Sequence, residues 1–260
     1  PLPVSAEDAF AWHAREGALE RLLPPWDDIR VVSRSGAMED GGRVALSLPV
    51  GPVRLEWLAE YHDVEVPRQF CDVAIHGPFA RWDHLHRFHP CGDAECTLTD
   101  RIEYACPGGM LGCVLGGSYV RRQLERMFRY RHATTAADLA LHCRYADRPR
   151  MKVAMTGASG LIGSALRHLL ASGGHEVVAL HRDASNRIDV AAAEGADAVI
   201  HLAGENIAAR RWSAEQKRRI MDSRVEVTRQ LCEDLLELSK RPQALLSASA
   251  VGFYGSRGDE

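Results

Sequence analysis

Lysine is nearly missing from this chain. Only Lys152, Lys217 and Lys240 occur, and the first 150 residues carry 18 Arg and no Lys at all. The basic total is no larger than the acidic one, 32 residues against 35 for a net charge of -3. That balance gives no positive field for a phosphate backbone, so nucleic acid is not an expected partner. Long apolar runs are also missing. Nothing approaches the ~18 consecutive apolar residues of a membrane span, and no basic segment followed by an apolar core opens the chain. The seven cysteines (Cys71, Cys91, Cys96, Cys106, Cys113, Cys143 and Cys232) form an odd set at irregular spacings. This suits reduced thiols in a cytoplasm better than a disulfide framework. An initiating Met is absent, and Glu260 falls within a Gly-rich polar stretch. The sequence is therefore expected to be a piece of a longer protein.

What is present describes a globular chain. Of 260 residues, 46% are hydrophobic and 26% charged, which is too well mixed for disorder. Four of the five Trp lie before residue 150, on the side without Lys. The composition thus predicts two units, residues 1–148 and 151–260.

In the first unit Ser5 and Asp8 form a capping-box-like start for a helix carrying Phe10, Ala11 and Ala14 on one stripe. A short second helix, Ala18 to Leu23, stops at Pro24-Pro25. The period then changes to two. Val53, Leu55, Trp57, Ala59 and Tyr61 alternate with Arg54, Glu56, Glu60 and His62, and similar alternation recurs in 29–33, 43–50, 69–75, 80–88 and 96–104. Six strands joined by short Gly, Pro and Asp turns predict an antiparallel sheet. Beyond Gly116-Gly117 a long helix is predicted from about Ser118 to Tyr145, with Val120, Leu124, Met127, Phe128 and Leu139 on its apolar face. A curved sheet closed by a long helix is an α+β helix-grip shape.

With Ala11-Trp12-His13, 77–82, 98–104 and Arg126-Met127-Phe128, this order of elements resembles the START-like (SRPBCC, polyketide-cyclase-like) superfamily over about residues 1–146. The resemblance implies a hydrophobic cavity between sheet and helix and a possible apolar ligand. It also implies an opening strand that is largely absent before Ser5. A cluster of His84, His86, His89, Cys91 and Cys96 matches no standard zinc spacing. It is read as a polar strand face plus hairpin, with no metal expected.

The second unit opens on the apolar strand 152–156, which runs into Gly157-Ala158-Ser159-Gly160-Leu161-Ile162-Gly163 and a helix from Ser164 to Ala171. A strand before the glycines and a helix after them are the context of a dinucleotide fingerprint. Gly157 permits the tight turn, Gly160 lets backbone approach a pyrophosphate, and Gly163 lets helix and strand pack closely. The helix N-terminus offers free N–H groups to the anion. The next strand, 176–181, ends where an NAD-selective site carries an acid, and here His181-Arg182 stand instead. Arg182 can pair with a 2′-phosphate, so NADP(H) is favoured over NAD(H). Strands 197–202 and 244–250 flank a long helix, capped by Ser213 and Gln216, that runs to about Ser239. The alternation predicts an α/β doubly wound parallel sheet.

Segments 201–207, Arg211-Trp212, 217–220, 222–226 and 247–255 closely resemble the atypical epimerase-family branch of the extended short-chain dehydrogenase/reductases. The resemblance implies cofactor contacts from Gly157, Ser159, Gly160, Leu161, Ile162, Gly163, His181, Arg182, Leu202, Ala203, Gly204, Glu205, Ser247 and Tyr254. Ser249 matches the serine that would hydrogen-bond a substrate hydroxyl or carbonyl. Tyr254 shapes the site but is followed four positions later by Gly258, so it does not form the superfamily's Tyr-x-x-x-Lys acid. Arg224 replaces the asparagine of the wider superfamily. Between Arg182 and Asp197 only 14 residues stand where the family fits a helix and a third strand.

Together these readings imply an NADP-dependent oxidoreductase or epimerase fused to a hydrophobic-ligand-binding domain and acting on a small-molecule substrate. The alternatives are a non-catalytic NADP(H)-binding sensor and a lipid-like ligand carrier with a vestigial cofactor domain.

Overall fold

The computed structural model describes residues 1–106, 109–208 and 210–249, the side chains of residues 109–115 excepted. It divides into two compact units at Arg148 and Pro149.

The first unit begins with α1 (Ala6–Ala14), whose Ser5 cap accepts the Asp8 backbone N–H at 3.1 Å and donates to the Asp8 carboxylate at 2.9 Å. Its inner stripe, Ala6, Ala9, Phe10 and Trp12, is buried. The short α2 (Ala18–Leu22) follows and ends ahead of Pro24. Six strands come next: β1 (Arg30–Ser35), β2 (Arg43–Val50), β3 (Val53–Glu65), β4 (Gln69–His76), β5 (Arg81–Pro90) and β6 (Cys96–Ala105). They form one antiparallel meander in which each strand pairs with the next. Leu2 adds an antiparallel bridge to Cys96 at the far edge, with bonds of 2.7 and 3.2 Å.

The sheet is closed by α3 (Gly109–Arg144). At 1.5 Å per residue this helix is about 54 Å long. It starts nine residues earlier than the glycine pair suggests: Gly116 and Gly117 sit within it, where each glycine costs only about 1 kcal/mol relative to alanine. Its inner face is pinned to α2. Arg21 donates to both Asp138 carboxylate oxygens at 2.7 and 2.8 Å, the Tyr130 hydroxyl donates to Arg21 O, and Arg131 Nε donates to Leu22 O. The core joins Phe10, Trp12, Phe70, Phe88 and Leu139, with Phe10 edge-on to Phe70 and Phe88 at ring separations of 5.9 and 5.6 Å.

The second unit holds β7 (Lys152–Thr156), α4 (Leu161–Ser172), β8 (Glu176–Leu180), β9 (Ala198–His201), α5 (Ala214–Leu236) and β10 (Ala244–Ser247). The sheet is parallel throughout in the order β10-β9-β7-β8. Central β7 is buried from Val153 to Thr156, which explains its unbroken apolar run, since a parallel sheet is covered on both faces. The short segment after Arg182 forms a turn, an Arg182–Ile188 bridge and one 3-10 turn, Ala191–Ala193. Among the described residues β8 is therefore an edge strand, and Ile188 and Ala193 pack into the core beside it.

Candidate functional site

In the second unit the carboxyl ends of all four strands, at Thr156, Leu180, His201 and Ser247, lie along one edge of the sheet. That is where open α/β sheets bind ligands. Gly157 leaves β7 with φ +68°, and a Cβ there would stand 2.8–2.9 Å from the Leu202 and Ala203 backbone. At Gly163 a Cβ would fall 2.0 Å from the Gly157 carbonyl oxygen, and at Gly160 3.2 Å from the same atom. Two of the three glycines are thus required by close backbone approach, and the helix opens directly on the turn. Helix α4 has Gly160 at its N-cap with no side-chain cap, so its first amides remain available to an anion. Ser159 is exposed on the turn, and Leu161 and Ile162 are 93% and 67% exposed at the mouth.

The turn is held from behind by a chain of hydrogen bonds that the glycine pattern alone does not reveal. Thr156 Oγ1 accepts the Leu202 and Ala203 N–H groups at 3.2 and 3.1 Å and lies 2.7 Å from His201 Nδ1. With its lone pairs taken, the Thr156 hydroxyl donates to Nδ1, which leaves Nε2–H of His201 to donate to Thr228 Oγ1 at 3.1 Å. Burial, with a smaller contribution from the Arg182 charge, lowers the His201 pKa, in keeping with that neutral form. Thr156 and His201 are 1% and 3% exposed. The strand-end Thr and His were the only sequence signal for this clamp.

The loop beyond β9 is tied to α5. Glu205 N–H donates to Ser223 Oγ, Gln216 Nε2 donates to Glu205 Oε1, and Arg224 donates to Glu205 O at 3.2 and 3.3 Å. Ser213 caps α5 through the Gln216 N–H, yet the Gln216 side chain turns to Glu205, so the box is not reciprocal. Leu202 and Ala203 are half-buried beside Gly157, while Gly204 lies under the Arg224 guanidinium. His181 and Arg182 are exposed at the end of β8, with Arg182 donating to Asn186 O at 2.7 Å. The neighbouring Asp183 carboxylate is occupied by Ser185 N–H, Ser185 Oγ and Arg187 N–H, which hold it low. Arg182, Arg187, Ile188 and Gln230 border a cleft of about 170 Å³. Ser247, opposite His201, and Ser249, two residues past β10, are exposed, and Tyr254 lies outside the described residues.

The first unit encloses a cavity of about 240 Å³. Its walls are apolar, with Leu46, Trp57, Phe79, Trp82, Leu124 and Met127 among them, but one side carries a polar floor. The five-residue His and Cys cluster does not come together. Strand alternation turns His84 and His86 inward, where they are 1% and 8% exposed, so this strand face is buried rather than wet. His89 and Cys91 sit exposed at the hairpin, and Cys96 is buried beside Leu2.

The partners of the two histidines come from neighbouring strands. His84 Nδ1 lies 3.0 Å from Asp72 and its Nε2 3.0 Å from Asp100. His86 Nε2 lies 3.2 Å from Asp72 and its Nδ1 2.8 Å from Asp100, with the angle too poor for a hydrogen bond at Nδ1. His132 reaches Asp100 from α3 at 2.5 Å. Burial alone would lower the His84 pKa, but the two carboxylates outweigh it and raise it to about 9. Burial likewise opposes ionisation of Asp72 and Asp100, and the imidazoles nevertheless hold both well below the usual carboxylate range. His13, also on the cavity wall, is pushed down to about 4, mainly by burial. No helix among the described residues is long and apolar enough to cross a membrane.

Comparison with known proteins places each unit. Residues 153–260 match the NAD dependent epimerase/dehydratase family, and residues 2–128 match the polyketide cyclase, dehydrase and lipid transport family. An epimerase family protein of Mycobacterium bovis is 39% identical, the match covering 41% of this chain and 39% of that protein. One from Homo sapiens is 37% identical, covering 40% and 38%. The crystal structure of the nucleoside-diphosphate sugar epimerase from Corynebacterium glutamicum superposes with TM-score 0.78 at 32% identity, covering 100% of this chain and 55% of that one. The chain thus spans about two fifths of the curated relatives it matches. Its second unit is similar to the epimerase family and its first to the polyketide cyclase and lipid transport family.

Proposed function

We propose that this chain is part of an NADP(H)-dependent oxidoreductase or epimerase whose second unit holds the dinucleotide along the Gly157–Gly163 turn. The first unit then takes an apolar small molecule in its cavity. The observation that carries the reading is the uncapped α4 N-terminus, set against a turn that glycines and the Thr156–His201 clamp hold in place. A pyrophosphate would accept the first-turn amides there. Arg182 would reach a 2′-phosphate, and Asp183 beside it has its Oδ1 taken up by the Ser185 and Arg187 donors of its own turn and not by a ribose hydroxyl. Ser249 would hydrogen-bond a substrate oxygen at the end of β10. The bound nicotinamide supplies the hydride chemistry; the chain's own residues bind and orient it.

Fluorescence titration with NADPH and NADH tests this. Arg182→Ala is expected to weaken NADPH binding by about 10- to 100-fold, the worth of a charge-assisted hydrogen bond, and to leave NADH binding unchanged. Equal affinity for the two cofactors in both proteins refutes the assignment.

One observation favours a second reading, an NADP(H)-binding sensor without turnover. The Arg224 guanidinium stands 3.5 Å from where a Cβ on Gly204 would be, at the position where the resembling superfamily carries asparagine. A substrate panel followed by NADPH consumption separates the two, since a sensor binds the cofactor and consumes none.

A further inference from the structure

The polar floor of the first unit's cavity has the arrangement of a metal site with an outer shell. We propose that Asp72, His84 and His86 bind one divalent cation of the Zn²⁺ or Fe²⁺ class, with open coordination positions toward the apolar cavity. Three independent features of the floor support it.

The spacing is that of adjacent ligands. A metal held at about 2.0–2.1 Å by nitrogen and oxygen puts neighbouring ligand atoms about 2.9–3.4 Å apart. Asp72 Oδ2 lies 3.0 Å from His84 Nδ1 and 3.2 Å from His86 Nε2, and one ligand atom from each of the three residues lies within 4.8 Å of the others.

The far nitrogens are organised as well. A metal-bound imidazole usually directs its other N–H to a carboxylate, which fixes the ring. Asp100 Oδ1 is hydrogen-bonded to His84 Nε2 at 3.0 Å and lies 2.8 Å from His86 Nδ1 at an angle outside hydrogen bonding, while His132 holds its other oxygen.

The charge is suited to a cation. Two carboxylates, with side chains 20% and 6% exposed, flank the two imidazoles from the neighbouring strands, so the floor is acidic overall when the imidazoles are neutral. A divalent ion supplies positive charge at the one point where Asp72 and both imidazoles meet. Half-buried Arg131 also lines the cavity within the field of Asp72 and Asp100, and its Nε donates to Leu22 O.

Two imidazoles and one carboxylate fill one face of the ion and leave positions for an exogenous oxygen. All three ligands line the apolar cavity, so the ligand chemistry implied is a largely hydrocarbon molecule carrying a carbonyl or hydroxyl oxygen that the metal can bind. The assignment does not depend on cofactor binding by the second unit, and failure of either leaves the other standing.

Titration of the full 260-residue chain, free of any histidine tag, with Co²⁺ as a spectroscopic probe tests the proposal. The expected result is one Co²⁺ per chain with visible ligand-field absorption. That absorption is lost in Asp72→Asn and in His86→Ala, and His89→Ala, outside the floor, retains it. Asp100→Asn keeps the ligands and is expected to weaken binding by about 10- to 100-fold. Thermal unfolding of each variant establishes that it is folded. Absence of one-to-one binding by the unaltered chain overturns the proposal, as does unchanged binding by folded Asp72→Asn. The titration of the unaltered chain is decisive even if a variant does not fold.

Discussion

Replacing Thr156 with valine keeps the side chain's volume and removes one hydroxyl from a residue that is 1% exposed. That hydroxyl has three partners: His201 Nδ1 at 2.7 Å, Ala203 N–H at 3.1 Å and Leu202 N–H at 3.2 Å. The Leu202 N–H also reaches the Thr156 carbonyl at 3.3 Å and keeps an acceptor in the variant. Of the two other buried groups, Ala203 N–H is left without an acceptor and His201 Nδ1 without a donor. At about 1–3 kcal/mol for each orphaned group, less about 1 kcal/mol from the added apolar burial, Thr156→Val should cost about 1–5 kcal/mol. For a unit of this size that is a fall in melting temperature of roughly 5–25 °C. Thr156→Ser, which retains the oxygen, should cost less than about 1.5 kcal/mol. Thermal unfolding measures the totals, and hydrogen exchange of peptides 152–156 and 198–203 localises the loss. If Thr156→Val unfolds within about 0.5 kcal/mol of the unaltered chain, the clamp does not hold the turn.

Other perturbations follow from the same geometry. Gly163→Ala puts a methyl 2.0 Å from the Gly157 carbonyl, so loss of NADPH binding with more than about 2 kcal/mol of destabilisation is expected by titration and urea unfolding. The depressed pKa of His201 makes the second unit pH-sensitive. The unfolded chain takes up a proton below about 6.5 and the folded one resists it, so the stabilisation is complete above that value and is lost as the pH falls below it. Urea midpoints between pH 7.5 and pH 5 should fall for the unaltered chain and show a shallower decline for His201→Gln. In the first unit, Asp138→Asn breaks a two-bonded pair whose carboxylate is 4% exposed and whose Arg21 is 22% exposed. Denaturation should show a loss of about 2–3 kcal/mol, below the 3–5 kcal/mol of a fully buried pair because Arg21 retains contact with water.

The parts of the fold set by local pattern were legible in the sequence. Alternation from Val53 to Tyr61 and in its five companions marks the six strands, and Thr156 to Gly163 identifies the turn by residue type alone, because its glycines answer to nearby backbone. The cavity floor was not legible. Asp72, His84 and Asp100 meet through the pairing of three strands, with Asp72 opposite His84 and Asp100 opposite His86, and nothing in the local spacing of His84 to Cys96 names the two aspartates. The same local spacing grouped the exposed hairpin residues His89 and Cys91, and Cys96 beside Leu2, with two histidines that line the cavity. The start of α3 was misplaced because Gly116 and Gly117, read as breakers, cost a helix only about 1 kcal/mol each. The clamp behind the glycine turn depends on His201 and Thr228 coming from separate elements, which no single window of sequence contains.

The meander carries a consequence for how the first unit forms in time. Each of its strands pairs with its neighbour in the chain, so the sheet can grow hairpin by hairpin at little loop-closure cost. The Arg21–Asp138 pair instead joins residues 117 positions apart, and it can be made only after the sheet and α3 exist. An interaction absent from the rate-limiting barrier acts on escape from the native state rather than on entry to it. Asp138→Asn should therefore leave the refolding rate nearly unchanged and speed unfolding, which makes the clasp between α2 and α3 the device that sets the lifetime of the closed cavity.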